Sequence, residues 1–122
     1  MILVDTSVWI DHLHRAIAAL VDALENEQVL HHPFIVGELA CGELARRDEV
    51  LPLLLALPQC VVATETEALA LIERHRLTGK GIGYLDVHLL ASVMLTEDAQ
   101  LWTRDKRLLH VARRLGLAFA GI

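Results

Sequence analysis

Four acidic residues stand where carboxylates can do chemistry. Asp5 follows the apolar run Ile2-Leu3-Val4, and Glu38 sits inside a largely apolar stretch. Asp86 opens the apolar segment Tyr84 to Leu95, and Asp105 comes three residues after Gln100-Leu101-Trp102. If the four meet, like charges at ~5 Å cost about 3 kcal/mol per pair at an effective dielectric of 20. Such a cluster needs shared protons or a bound cation. Oxygen donors without His or Cys at metal spacing favour Mg²⁺ or Mn²⁺ over Zn²⁺. Such ions activate water and stabilise the oxygens of a phosphoryl displacement. Each acid also has an ordinary explanation. Asp5 and Asp105 suit helix caps, Asp86 suits the positive end of a helix, and Glu38 could pair with an arginine. Gly37 and Gly42 flank Glu38 and suggest a close backbone approach there. Glu43 points about 140° away from Glu38 on a helix and reads as a surface charge.

The elements that must position these acids alternate between strand and helix. Ile2–Val4 reads as a strand covered on both faces, followed by a helix from Val8 that continues to Glu27. Val29–His31 reads as a second strand, and Pro33 opens a helix to about Arg47. Asp48 caps a short helix that Pro58 stops. Cys60–Val62 reads as a third strand, and Thr64 to Glu67 opens a helix. Tyr84–Leu95 is helical, Gln100–Trp102 is a fourth strand, Asp105–Leu115 is a helix ended by Gly116, and Leu117–Phe119 is a last strand. The expectation is an α/β chain with a parallel sheet of four to five strands between helices. Ligands of such sheets bind beyond the carboxyl ends of the strands, where Asp5 and Asp105 fall.

Composition bounds the reading. The chain has 122 residues, 54% hydrophobic and 22% charged, which suits one domain, residues 1–122, with its own core. The net charge of −5 argues against a basic nucleic-acid module. It hides an asymmetry, because residues 1–73 carry 3 basic and 12 acidic side chains and residues 74–122 carry 8 and 4. No apolar run is long enough to cross a membrane, and Met1 to Asp11 lacks the basic start of a signal peptide. Cys41 and Cys60 read as buried free thiols, and the chain as cytoplasmic. The seven histidines read as packing or surface residues, not metal ligands. The apolar segment Leu51 to Leu57 exceeds what a short helix buries, so Leu54 and Leu55 are candidates for a dimer or partner contact.

The sequence resembles PIN-domain nucleases, particularly VapC-type toxins of bacterial toxin–antitoxin pairs. The likeness rests on Ile2-Leu3-Val4-Asp5-Thr6-Ser7-Val8-Trp9-Ile10, on Glu38 with Gly42, on Gly81 through Ser92, and on Leu101-Trp102-Thr103-Arg104-Asp105-Lys106-Arg107-Leu108. The resemblance implies an α/β/α sandwich and a metal site built from Asp5, Glu38, Asp86 and Asp105. It also implies metal-dependent endonucleolytic cleavage of RNA, a homodimer, and inhibition by a small antitoxin. In that picture Asp5 and Asp86 touch the metal, Mg²⁺ or Mn²⁺, and Glu38 and Asp105 do so directly or through water. Thr6, Ser7 and Thr103 stand beside the acids and could orient them. Lys80, Arg104, Lys106 and Arg107 are the candidates for holding RNA phosphates.

Other classes fit less well. A receiver-like phosphoacceptor needs an acidic acceptor after its third strand, where this chain has Ala63-Thr64-Glu65. A phosphatase with an Asp-x-Asp nucleophile fails because Thr6-Ser7 follow Asp5. A non-catalytic interaction domain with an acidic pocket is the remaining alternative.

Overall fold

Three short apolar runs build the sheet. The computed structural model describes residues 1–120. β1 (Ile2–Val4) is fully buried and lies between β2 (Val29–Leu30) and β3 (Gln100–Trp102), parallel to both. Leu3 pairs with Leu30 on one side and Leu101 on the other. A strand buried on both faces must be apolar throughout, and this one is.

Each edge of the sheet carries one further bridged segment, His31 with Gln59 and Leu101 with Ala118, both parallel. The expected strand at Cys60–Val62 is thus reduced to a single bridge. Cys60 N–H still donates to His31 O at 3.1 Å, but beyond it the N–H groups turn to side chains: Val61 N–H donates to Thr96 Oγ1 at 2.9 Å and Ala63 N–H to Ser92 Oγ at 3.1 Å. The expected strand at Leu117–Phe119 is held on both sides of Leu101, by 2.7 and 2.8 Å backbone bonds, without becoming a regular strand. Three formal strands with two bridged edges replace the four to five expected.

Seven helices surround the sheet among the described residues: α1 (Thr6–His14), α2 (Ala18–Glu25), α3 (Pro33–Cys41), α4 (Arg47–Ala56), α5 (Glu65–His75), α6 (Tyr84–Leu95) and α7 (Lys106–Arg114). α1 packs on α3 and α3 on α4, while α5 packs on α6, which also covers β3. This is the expected α/β/α layering. None of the helices is long and apolar enough to cross a membrane.

Two helices end earlier than their apolar spacing suggests. α1 stops at His14 because Ile17 N–H donates to His12 Nδ1 at 3.0 Å, which turns the chain before α2. α3 stops at Cys41, where Gly42 is extended and the Arg47 guanidinium takes up the freed carbonyl of Ala40 at 2.6 Å. No atom lies within 4 Å of where a Cβ on Gly37 would be, so no close approach explains that glycine. α5 begins as its sequence predicts, with a reciprocal cap between Thr64 and Glu67.

The core runs through β1, β3, α6 and α7 with Trp9 and Trp102 in it. Cys60 is buried there, which pushes its thiol up to about 11, whereas Cys41 is exposed, contrary to expectation. Leu54 is also core, so of the large apolar side chains on α4 only its neighbours Leu53 and Leu55 are exposed.

Candidate active site

Asp5 occupies the cap position of α1 but does not cap it. Its carboxylate is buried, and Oδ2 instead accepts from the hydroxyls of Ser7 at 2.9 Å and Thr103 at 2.8 Å. The ordinary explanation for Asp5 therefore fails. Its backbone N–H donates to Trp102 O at 2.9 Å, which ties the end of β1 to the end of β3. Thr103 is buried and also accepts the Asp105 N–H at 3.1 Å, while Ser7 Oγ accepts the Arg104 N–H at 3.0 Å. Two hydroxyls thus fasten Asp5 to the turn that carries Asp105.

Asp105 does cap its helix. Oδ1 accepts from Arg107 N–H at 2.9 Å and Leu108 N–H at 3.0 Å at the start of α7. Asp86 lies in the first turn of α6, and its Oδ2 accepts the Gly83 N–H at 3.2 Å. Asp5, Asp86 and Asp105 share one pattern among the described residues: one carboxylate oxygen is held by the protein and the other is not.

The charges are coupled. Burial raises Asp86 above the ordinary carboxylate range; the Gly83 N–H opposes this, and the charges of Asp5 and Asp105 add to it. Glu38 on α3 is raised first by burial and next by Asp5, with Asp86 adding a smaller push. Thr6 draws Glu38 partly back, but its hydroxyl makes no formed hydrogen bond and is a buried orphan at the site. All four acids therefore belong to one electrostatic neighbourhood at the carboxyl edge of the sheet.

The donor set suits a hard divalent cation. All donors are oxygen, three carboxylates each have a free oxygen, and their mutual repulsion asks for positive charge. No three acidic, His or Cys side chains among the described residues stand close enough to chelate a bare ion. Mg²⁺ keeps several waters, so a wider ring of carboxylates still fits it.

The basic candidates divide. Arg104 pairs with Asp11 at 2.7 Å, both exposed, the one ion pair among the described residues. Such an exposed pair is worth about 0–1 kcal/mol, so a phosphate competes with it readily. Lys80, Lys106 and Arg107 are exposed and form no ion pair among the described residues. Arg107 lies across the loop before Asp86: a Cβ on Gly81, where φ is +78°, would be 2.7 Å from Arg107 Cδ. Gly79 has a similar φ of +74° and open space.

Gly79→Ala should therefore cost about 1–2 kcal/mol from backbone strain alone. Gly81→Ala should cost about the same, because the atoms near its Cβ belong to the exposed, flexible end of Arg107, which can swing aside. Urea unfolding of the two variants checks this. A clearly larger loss at Gly81 would show that the Arg107 side chain is fixed there.

Sequence reasoning missed that two buried polar residues, His32 and Ser92, meet each other. His32 Nδ1 accepts the Phe34 N–H at 3.0 Å, and Nε2 meets Ser92 Oγ at 3.1 Å. The signal for the first contact was present. Pro33 marks the first position of a helix, so the residue before it is the cap. The reading of the histidines as packing residues stands for His32 and His88, both buried.

The PIN domain family model matches residues 2–114. Two similar proteins are Ribonuclease VapC32 of Mycobacterium tuberculosis strain CDC 1551 / Oshkosh and of strain ATCC 25618 / H37Rv. Each is 50% identical over 120 residues, covering 98% of this chain and 97% of the relative.

Proposed function

The chain belongs to the PIN-domain family, and from that premise we propose that it is an endoribonuclease, the toxin of a toxin–antitoxin pair. It hydrolyses RNA phosphodiester bonds with Mg²⁺ or Mn²⁺ at Asp5, Glu38, Asp86 and Asp105. The observation that carries this reading is the fastening of Asp5 through the Thr103 hydroxyl to the turn that bears Asp105, with the charge of Asp5 acting on both Glu38 and Asp86. The named ribonuclease relatives support it.

When bound, the cation supplies an activated water and offsets charge on the transferring phosphoryl group. Asp5 and Asp86 would hold it directly, and Glu38 and Asp105 directly or through water. Ser7 and Thr103 keep Asp5 from rotating. The Thr6 hydroxyl, buried without a partner, steadies Glu38. Lys80, Lys106 and Arg107, with Arg104 released from Asp11, hold the phosphates on either side of the scissile bond. A small cognate antitoxin restrains the enzyme, which works in the cytoplasm as a homodimer.

The test uses the purified, antitoxin-free chain with structured RNAs. EDTA should stop cleavage, and added Mg²⁺ or Mn²⁺ should restore it. Cleavage that survives EDTA overturns the metal reading.

A further inference from the structure

The helices that carry Glu38 and Asp86 each have their main packing partners elsewhere: α3 packs mainly on α1 and α4, and α6 on α5 and β3. Among the described residues a polar link and a row of rings join the two. His32, six residues before Glu38, meets Ser92, six residues after Asp86, at 3.1 Å. Beside that link His32 leans on Phe34 with ring centres 5.0 Å apart, Phe34 on His88 at 5.1 Å, and His88 on Tyr84 at 4.6 Å. Tyr84 begins the helical turn that holds Asp86.

The link has a defined sense. Nδ1 accepts the Phe34 N–H, so the ring proton sits on Nε2 and donates to Ser92 Oγ. The same oxygen accepts the Ala63 N–H at 3.1 Å. His32 and Ser92 are fully buried, where a lost partner leaves a costly orphan. Burial, with the like charges of His88 and then His31, holds His32 down to about 4. The ring is therefore neutral at physiological pH, as acceptance at Nδ1 requires.

We propose that the His32–Ser92 hydrogen bond is a positioning lock that sets Glu38 against Asp86 and so tunes the affinity of the acidic site for its divalent cation. This rests on the metal reading given above. His32 and Ser92 touch neither substrate nor metal and act through the two helices. Nothing in the Glu38 or Asp86 side chains reveals the dependence, because the lock lies on the opposite ends of their helices.

The test measures Mn²⁺ binding to the full-length chain by calorimetry, with Tm recorded in parallel. Ser92→Ala should weaken binding about tenfold, the low end of what supporting residues contribute to metal sites. His32→Asn keeps the α3 cap but falls short of Ser92, and should weaken binding equally. His32→Gln reaches Ser92 with its amide and gives up the cap. It should lower Tm yet leave Mn²⁺ affinity within about twofold of wild type, a separation that a purely structural role would not produce. The His32→Asn/Ser92→Ala double variant should bind no more weakly than either single one. Unchanged affinity in His32→Asn, or equal weakening in His32→Asn and His32→Gln, overturns the lock even where Ser92→Ala fails to fold. A wild-type chain that takes up no Mn²⁺ overturns the metal reading itself, and the lock with it.

Discussion

Asp5→Asn is expected to lower RNA cleavage on the order of 10²–10³-fold, the scale of losing one preorganised charge at a reacting centre. The substitution is nearly isosteric. It removes the charge but leaves the fold, because the Asp5 side chain caps no helix and its partners are two hydroxyls that can rotate. Asp105→Asn should cost much less. Asparagine is as good a helix cap as aspartate and keeps an oxygen for the Arg107 and Leu108 N–H groups. Removing the hydroxyls that hold Asp5, by Ser7→Ala or Thr103→Val, should cost about 10- to 100-fold, since they orient the acid without replacing it. Single-turnover cleavage at saturating Mn²⁺ measures all four, with circular dichroism confirming the fold. Asp5→Asn at wild-type activity would remove Asp5 from the site.

The second large effect is an inversion of stability. Glu38→Gln and Asp86→Asn should each make the metal-free chain more stable by about 1 kcal/mol, a size typical of relieved repulsion at a functional site after solvent screening. Both carboxyls are held above their ordinary range by burial and by neighbouring acids. A group raised in the folded state favours folding below its unfolded pKa and loses that contribution as pH rises through the folded value. The metal-free protein loses it as pH rises, and an uncharged amide does not. His32 acts in the opposite sense. Its depressed value supports the fold above about 6.5, and that support disappears as pH falls toward about 4.

Mn²⁺ at a hundred times its dissociation constant adds about 2.7 kcal/mol to any chain that binds it only when folded. Wild type should then overtake both variants. Thermal unfolding at pH 7 with and without Mn²⁺ reads the crossing directly. Variants less stable than wild type without metal, or stabilised by Mn²⁺ as much as wild type, would overturn the reading.

Local signals carried the elements that depend on neighbours in sequence. Ile2-Leu3-Val4 announced a doubly covered strand, the Thr64–Glu67 pair announced α5, and the Tyr84–Leu95 run gave α6 at its observed bounds. What escaped depends on partners far along the chain. Val61 and Val62 look like a strand until Thr96, 35 residues away, takes the Val61 N–H. The carboxylates could be ranked as candidates by type and position. Their distinction could not: nothing near Asp5 says that Thr103 turns it from α1, while Asp105 remains an ordinary cap. The pairing of Arg104 with Asp11, 93 residues earlier, likewise leaves no local mark. The lock between His32 and Ser92 spans 60 residues and was equally invisible.

The bond from Thr103 to Asp5 closes across 98 residues, and β1 has β3 as one of its two neighbours. A nascent chain exposes Asp5 among its first residues and must wait for Thr103 and Asp105 to follow. At about 5–20 residues per second that interval is roughly 5–20 s. The acid cluster therefore cannot be completed until β3 and the turn after it have been made, with only α7 and the segment that bridges Leu101 still to follow. If the site is the nuclease proposed above, the order of synthesis keeps it incomplete until β3 and the turn after it have joined β1.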